Sequence, residues 1–187
     1  MPGMNRLTSR ARRAALAILL LASGAAIPQQ AGNRYTVEIV VFRTASQAGG
    51  AAITPPATAD AADDLEMNIA TSRKLTSAAN RLRSAAGYRI IAHTAWTQSP
   101  VSCSGAACRT SLQRGVSAGQ LGLTRAGIAG KVGLQRGDAL HLGIDLTIDD
   151  GGRRYRIQEV RQLRRTDEPQ YFDHPAVGVI AIVTSGG

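Results

Sequence analysis

The segment from Ala139 to Ile148 constrains the fold more than any other stretch of this chain. Leu140, Leu142, Ile144, Leu146 and Ile148 occupy every second position, with His141, Asp145 and Thr147 between them. A period of two places the first set on one face of a strand and the second set on the other. One buried face and one wetted face is the pattern of an antiparallel sheet. Asp149-Asp150-Gly151-Gly152 follows, and glycines directly after aspartates supply the positive backbone angles of a tight hairpin. The return, Arg153 to Arg165, offers Tyr155, Ile157 and Leu163 to the same core and carries six arginines. A bulge near Glu159 and Val160 would bring its two halves into one register. Arg136-Gly137-Asp138 marks the turn into the hairpin from the other side.

The rest of the chain supplies further strands and a helix. Tyr35 to Arg43 (YTVEIVVFR) alternates Tyr35, Val37, Ile39 and Val41 with Thr36 and Glu38, and Val40 and Phe42 make its end apolar on both faces. Residues 44–65 are Ala, Thr, Gly, Ser, Pro and Asp with almost nothing to bury, which predicts a loop or disordered insertion. From Thr71 to Ala86 the period becomes helical, with Leu75, Ala78, Ala79, Leu82 and Ala86 on one stripe and Arg73, Lys74, Arg81 and Arg83 mainly off it. Thr71 or Ser72 can cap its start and Gly87 can end it. Tyr88 to Trp96 reads as a second strand, residues 97–126 as a long covering loop, Gly127 to Val132 as a short strand and Ala176 to Val183 as an apolar one. The order β, α, β and then hairpins predicts one α+β domain over residues 26–187. Its expected form is a mainly antiparallel β-sheet with one main helix packed on one face.

Ahead of this domain, Arg6, Arg10, Arg12 and Arg13 precede an unbroken apolar run of nine residues, Ala14 to Ala22, and then Ser23, Gly24, Ala25 and Ala26. That order is the three-part pattern of a secretory signal peptide, and the run is far short of the roughly 20 residues of a membrane span. Residues 1–25 are therefore expected to be removed, with cleavage after Ala25 or Ala26. Contact with the membrane is expected only through this leader, and no cysteine near the cut offers a lipid anchor. The leader holds four of the 22 basic residues and none of the 13 acidic ones, so its loss lowers the net charge from +9 to five. A modest positive excess favours anionic partners, and export argues against nucleic acid. Cys103 and Cys108 are the two cysteines. In an oxidising compartment an even count predicts a structural disulfide, and closing so small a ring contributes about 2 kcal/mol. The redox spacing C-x-x-C is absent, and a zinc site needs more ligands than this segment supplies.

Metal chemistry finds little support. The three histidines lack the H-x-x-x-H and H-E-x-x-H spacings, and His141 and Asp145, on one strand face, stand about 13 Å apart. Covalent catalysis finds less, with neither a G-x-S-x-G turn nor a motif that would activate a cysteine. Asp167, Glu168 and Asp173 offer carboxylates, but in a proline-bearing turn where acids are common. No catalytic residue, metal or cofactor is therefore predicted. The segment Arg161 to His174 is the densest in functional groups. Arg164 and Arg165 can fork onto carboxylates, and Tyr171 can stack on a sugar face. The alternative is structural, with Asp173-His174-Pro175 a self-bonded turn, the two arginines solvated, and His93 and His174 hydrogen-bonded structural histidines.

Four blocks, in order, resemble the CsiV family of periplasmic peptidoglycan-binding proteins. They are YTVEIVVFR at 35–43; His93, Trp96 and Gln98 as H-x-x-W-x-Q; Leu140-His141-Leu142 with Asp145-Leu146; and Arg164-Arg165 leading to Tyr171, Asp173-His174-Pro175 and Gly178. The resemblance implies a non-enzymatic periplasmic protein that binds peptidoglycan, whose muropeptides offer both carboxylates and sugar faces. It also implies promotion of cell-wall synthesis by a penicillin-binding protein together with an outer-membrane activator lipoprotein. The ligand-binding residues it points to are His93, Trp96, Gln98, Arg164, Arg165, Tyr171, Asp173 and His174. The competing functions are a protein–protein interaction module without polymer affinity and a wall-directed hydrolase.

Overall fold

A computed structural model of the chain describes residues 33–44, 65–71 and 73–186. The expected leader at 1–25, the interior of the 44–65 insertion and the Ser72 cap lie outside the described residues. In chain order the elements are β1 (Tyr35–Thr44), β2 (Met67–Ile69), α1 (Thr76–Ser84), β3 (Tyr88–Gln98), β4 (Val101–Ser102), α2 (Ala107–Thr110) and β5 (Val116–Ser117), then β6 (Ile128–Arg136), β7 (Leu140–Asp150), β8 (Arg153–Gln162), β9 (Gln170–Asp173) and β10 (Val177–Ser185).

The strands form two sheets rather than the one expected. The first has the order β2-β3-β1-β10-β9; the second has β4-β6-β7-β8, with β5 also paired to β6. Pairing is antiparallel throughout except for the short β4–β6 ladder. The physical reason is that alternation marks a strand's buried face without saying what covers it. Here the apolar face of the β7 hairpin is covered by the other sheet. Leu142, Ile144, Leu146 and Ile148 share one core cluster with Val37, Ile39 and Val41 of β1, Trp96 of β3 and Val179, Ala181 and Val183 of β10. Each of the leucine, isoleucine and valine side chains among these contributes about 1.5–3 kcal/mol on burial. Arg136 donates to the Tyr35 hydroxyl across the sheets. At the hairpin tip, Asp150 pairs with Arg43 at 2.7 Å and Arg89 at 2.8 Å, both from the first sheet.

Several boundaries differ from the sequence expectation. Helix α1 has nine residues and begins at Thr76, not at Thr71. Its leading amide is satisfied from the sheet rather than from its own sequence, because Leu75 N donates to the buried Glu38 carboxylate at 3.2 Å. Leu75 and Ala79 pack with Val40 and Ile182, with Leu82, Ile90 and Ile180 at the margin. Strand β6 runs four residues past Val132, carried by Val132 and Leu134 facing Ile144 and Leu142. Strand β8 keeps an unbroken register with β7 from Arg153 to Gln162. The expected bulge is not needed there, because the inner face finishes in charge. Arg161 pairs with Glu159 at 2.6 Å and lays its guanidinium 4.8 Å from the Phe172 ring centre. The irregularity falls instead between Val41 and Phe42 on β1, where Ile91 of β3 is left over in the pairing.

Residues 97–126 are not simply a loop. They contain β4, α2, β5 and a single 3-10 turn at Thr124–Ala126. This excursion lies over the outer face of the second sheet because glycines leave room for it. Gly133 and Gly143 are cross-strand partners. A Cβ on Gly143 would come within 2.8 Å of Leu112, and one on Gly133 within 2.8 Å of Gly115 Cα. Cys103 and Cys108 form a disulfide with Cα atoms 5.5 Å apart.

Candidate ligand surface on the first sheet

The period-two alternation of β1 sends Val37, Ile39 and Val41 inward, so Phe42 falls on the outer face. Phe42 is buried there as the floor of an aromatic group. The Tyr171 ring stacks on it with centroids 6.1 Å apart and planes at 13°, and Tyr88 lies 5.8 Å away at 60°. Gly178 is opposite Phe42 in the ladder, and a Cβ there would meet Phe42 Cζ at 2.5 Å. Glycine at this position is what admits the ring. Tyr171 and Tyr88 remain 43% and 45% exposed, so the shelf presents aromatic surface to solvent.

Tyr171 donates its hydroxyl proton to Asp173 Oδ1 at 2.8 Å. Partial burial, then that hydrogen bond and the charge of Asp173, push the phenol up from 10.0 to about 12. The side chain therefore keeps its proton at any physiological pH, as a neutral ring with its donor committed to a neighbouring carboxylate. Strand β9 fixes this geometry by pairing Tyr171 with Ile180 and Asp173 with Gly178.

The structure distributes the other expected site residues among several places. Arg164 and Arg165 are exposed on the connection between β8 and β9, the segment that leads into Tyr171. His93 lies beside α1 with Nε2 2.6 Å from Glu38 Oε1, so it belongs to the contact that seats the helix. Trp96 and Gln98 are fully buried. Trp96 Nε1 donates to Gln98 Oε1 at 2.8 Å and Gln98 Nε2 donates to Ser99 O at 3.4 Å, a closed pair inside the core. His174 Nδ1 accepts from Ala176 N at 3.2 Å, its own amide donates to Val177 O, and its ring tilts against Tyr155 at 5.5 Å. It closes the turn before β10. Asp145 forks with Arg156 at 2.8 and 2.9 Å, separate from His141. Among the described residues, no group of three His, Cys, Asp or Glu is placed to hold a metal ion.

Phe42 and Tyr88 complete the shelf and were not singled out by sequence reasoning. The available signal was the apolar second face of β1, which asks for a partner on the outside of the sheet. Fold and surface together define a two-layer β domain with a solvent-facing aromatic shelf. The chain belongs to the CsiV family, described as peptidoglycan-binding proteins. The family model matches residues 50–185, a span that takes in every described helix and strand except β1. No curated protein and no solved structure gives a match. Peptidoglycan binding is work done at the cell wall, and among the described residues no helix is long and apolar enough to cross a membrane.

Proposed function

We propose that this chain is a non-enzymatic peptidoglycan-binding accessory protein of the periplasm, and that the shelf of Phe42, Tyr88 and Tyr171 meets the glycan strand. The observation that carries the reading is the half-exposed Tyr171 ring, held flat on a buried Phe42 beside a second exposed tyrosine. Rigid aromatic faces with a polar tip suit a ligand that is apolar on one side and wet on the other, as sugar rings are. Asp173 accepts hydrogen bonds from hydroxyls at the edge of the shelf, and Arg164 and Arg165 offer forks for carboxylates from the adjoining loop. A matrix-held module of this kind would promote cell-wall synthesis by a penicillin-binding protein with its activator lipoprotein. That part of the proposal rests on the family resemblance alone.

The test is co-sedimentation with purified sacculi at low salt. The wild-type chain is expected in the pellet, and a folded Tyr171→Ala, Arg165→Ala double variant in the supernatant. Wild-type protein left in the supernatant would defeat the binding reading. A folded double variant that pellets like wild type would remove the shelf from it. Soluble fragments released from sacculi by the chain alone would make it an enzyme instead.

A further inference from the structure

On the opposite side of the molecule, the excursion over the second sheet borders a partly open hollow of about 520 Å³ between α2 and the start of β7. That volume lies within the roughly 300–1,000 Å³ of small-ligand sites. The disulfide Cys103–Cys108, Arg109, Asp138, His141 and Gln162 line it. His141 is 3% exposed. Its Nδ1 lies 3.0 Å from Ala139 O, and a carbonyl only accepts, so Nδ1 carries the proton. In the neutral ring this leaves Nε2 with a bare lone pair. No protein group among the described residues partners that buried Nε2. A buried acceptor left unmade costs about 1–3 kcal/mol, and an orphan of this kind calls for a partner.

The walls are fixed by chemistry that does not depend on a ligand. The disulfide ties the two ends of the 103–108 turn together. Gln135, beside His141 in the ladder, donates to Cys108 O at 2.7 Å and to Ser111 O at 2.9 Å. At the rim, the Arg109 guanidinium and the Asp138 carboxylate stand 3.9 Å apart, both exposed. The hollow therefore offers a cation, an anion and, deeper, an acceptor for N–H or O–H. No Phe, Tyr or Trp side chain lines it.

We infer that this hollow is a binding site for a small zwitterionic peptide end: the amine- and carboxylate-bearing peptide stem of peptidoglycan. A free carboxylate meets Arg109, a free ammonium meets Asp138, and an amide or ammonium N–H reaches His141 Nε2. A bare glycan strand would leave the paired rim charges unused and finds no Phe, Tyr or Trp ring to stack on. The inference deepens the peptidoglycan reading and rests on it, assigning stem and strand to different faces.

The experiment uses the full chain and two probes from one digest of sacculi by an amidase: the released stem peptides and the peptide-free glycan strands. Calorimetric titration of the wild type with stem peptides is expected to give a saturable signal. His141→Leu, which removes the acceptor, and Arg109→Glu, an exposed position that leaves the fold intact, are each expected to weaken it by about tenfold or more. Glycan-strand binding should be unchanged in both. Stem binding equal to wild type in folded Arg109→Glu and His141→Leu would overturn the site. A wild type that pellets with sacculi but ignores stem peptides would overturn the inference and leave the peptidoglycan reading standing. Failure of both assays would overturn the two together.

Discussion

The two sheets bury their inner faces in one core but finish their outer faces in opposite ways. The first takes the helix that lies between two of its own strands, β2 and β3, seated on Val40 and Ile182 and held by Glu38. Beyond it, Tyr88 and Tyr171 stay open to solvent. The second is roofed by its own chain, laid into the space of Gly133 and Gly143 and fixed by Gln135 and a disulfide. An open, stacked face suits an extended polymer that slides along it. The 103–109 turn of that roof borders a hollow braced by a disulfide, which suits a small group with a defined charge pattern. One ligand lattice containing both kinds of chemistry gives a reason for one domain to keep both surfaces.

The comparison breaks most readily at Gln135. This buried amide satisfies two carbonyls and, through Oε1, the Gln113 amide at 3.2 Å. Gln135→Leu keeps the bulk and strips three backbone groups of their partners. At about 1–3 kcal/mol for each that stays buried, with some relaxing to water, a loss near 3 kcal/mol is expected. Denaturant unfolding measures it, and limited proteolysis should open the chain between residues 103 and 115. An unchanged midpoint would mean that the roof is held by something else. Next in size is the double change Cys103→Ser, Cys108→Ser. The ring is short, so the loss should be about 2 kcal/mol. Stem-peptide affinity should fall with it, while sacculus binding through the shelf should persist. Equal loss at both surfaces would dissolve the distinction between them.

Glu38→Gln probes the other face. The carboxylate accepts from Leu75 N and contacts His93, and charged hydrogen bonds exceed neutral ones by about 1 kcal/mol. A destabilisation of that order is expected, with faster hydrogen exchange confined to the start of α1. A loss spread evenly over the domain would show that the helix and sheet unfold as one.

The long strands were legible from sequence, since Leu140 to Ile148 and Tyr35 to Val41 announce their own faces, while the short β2, β4, β5 and β9 were not. The partner of each face was not legible. Alternation is a property of one strand, whereas the choice between one sheet and two depends on pairings such as Val37 with Val183, 146 positions apart. Likewise α1 reads as longer than it is: the stripe of Leu75, Ala79 and Leu82 is real, but Ala86 lies exposed in the turn beyond the helix, and the cap comes from Glu38, 37 positions away. Of the site, Tyr171 and Asp173 were legible as members of one segment dense in functional groups, but that segment read as a turn, and the strand that puts both on one face was not expected. Trp96 and Gln98 carry groups that could bind a ligand, and only the fold places them against each other in the core. His141 was weighed with Asp145 along its own strand, while its actual surroundings come from the 103–109 turn. A contact made across sequence leaves no trace in local spacing.

The smallest expected effect separates the two parts of Tyr171. Tyr171→Phe retains the ring over Phe42 and removes the hydrogen bond to Asp173. At neutral pH the half-exposed position predicts a stability change within about 0.5 kcal/mol, and sacculus binding should survive if stacking carries it. The hydroxyl shows itself at high pH. Its folded value, about 12, exceeds the ordinary 10.0, so the folded state holds this proton more tightly than the unfolded chain. The resulting stability is fully present below pH 10 and is lost as pH rises through 12. Wild type should therefore lose more stability than Tyr171→Phe across that window, read as the difference between their denaturation midpoints. Parallel curves would mean that neither burial nor Asp173 raises the phenol. A tenfold loss of sacculus binding in the Phe variant would move recognition from the ring face to the hydroxyl–carboxylate edge of the same shelf.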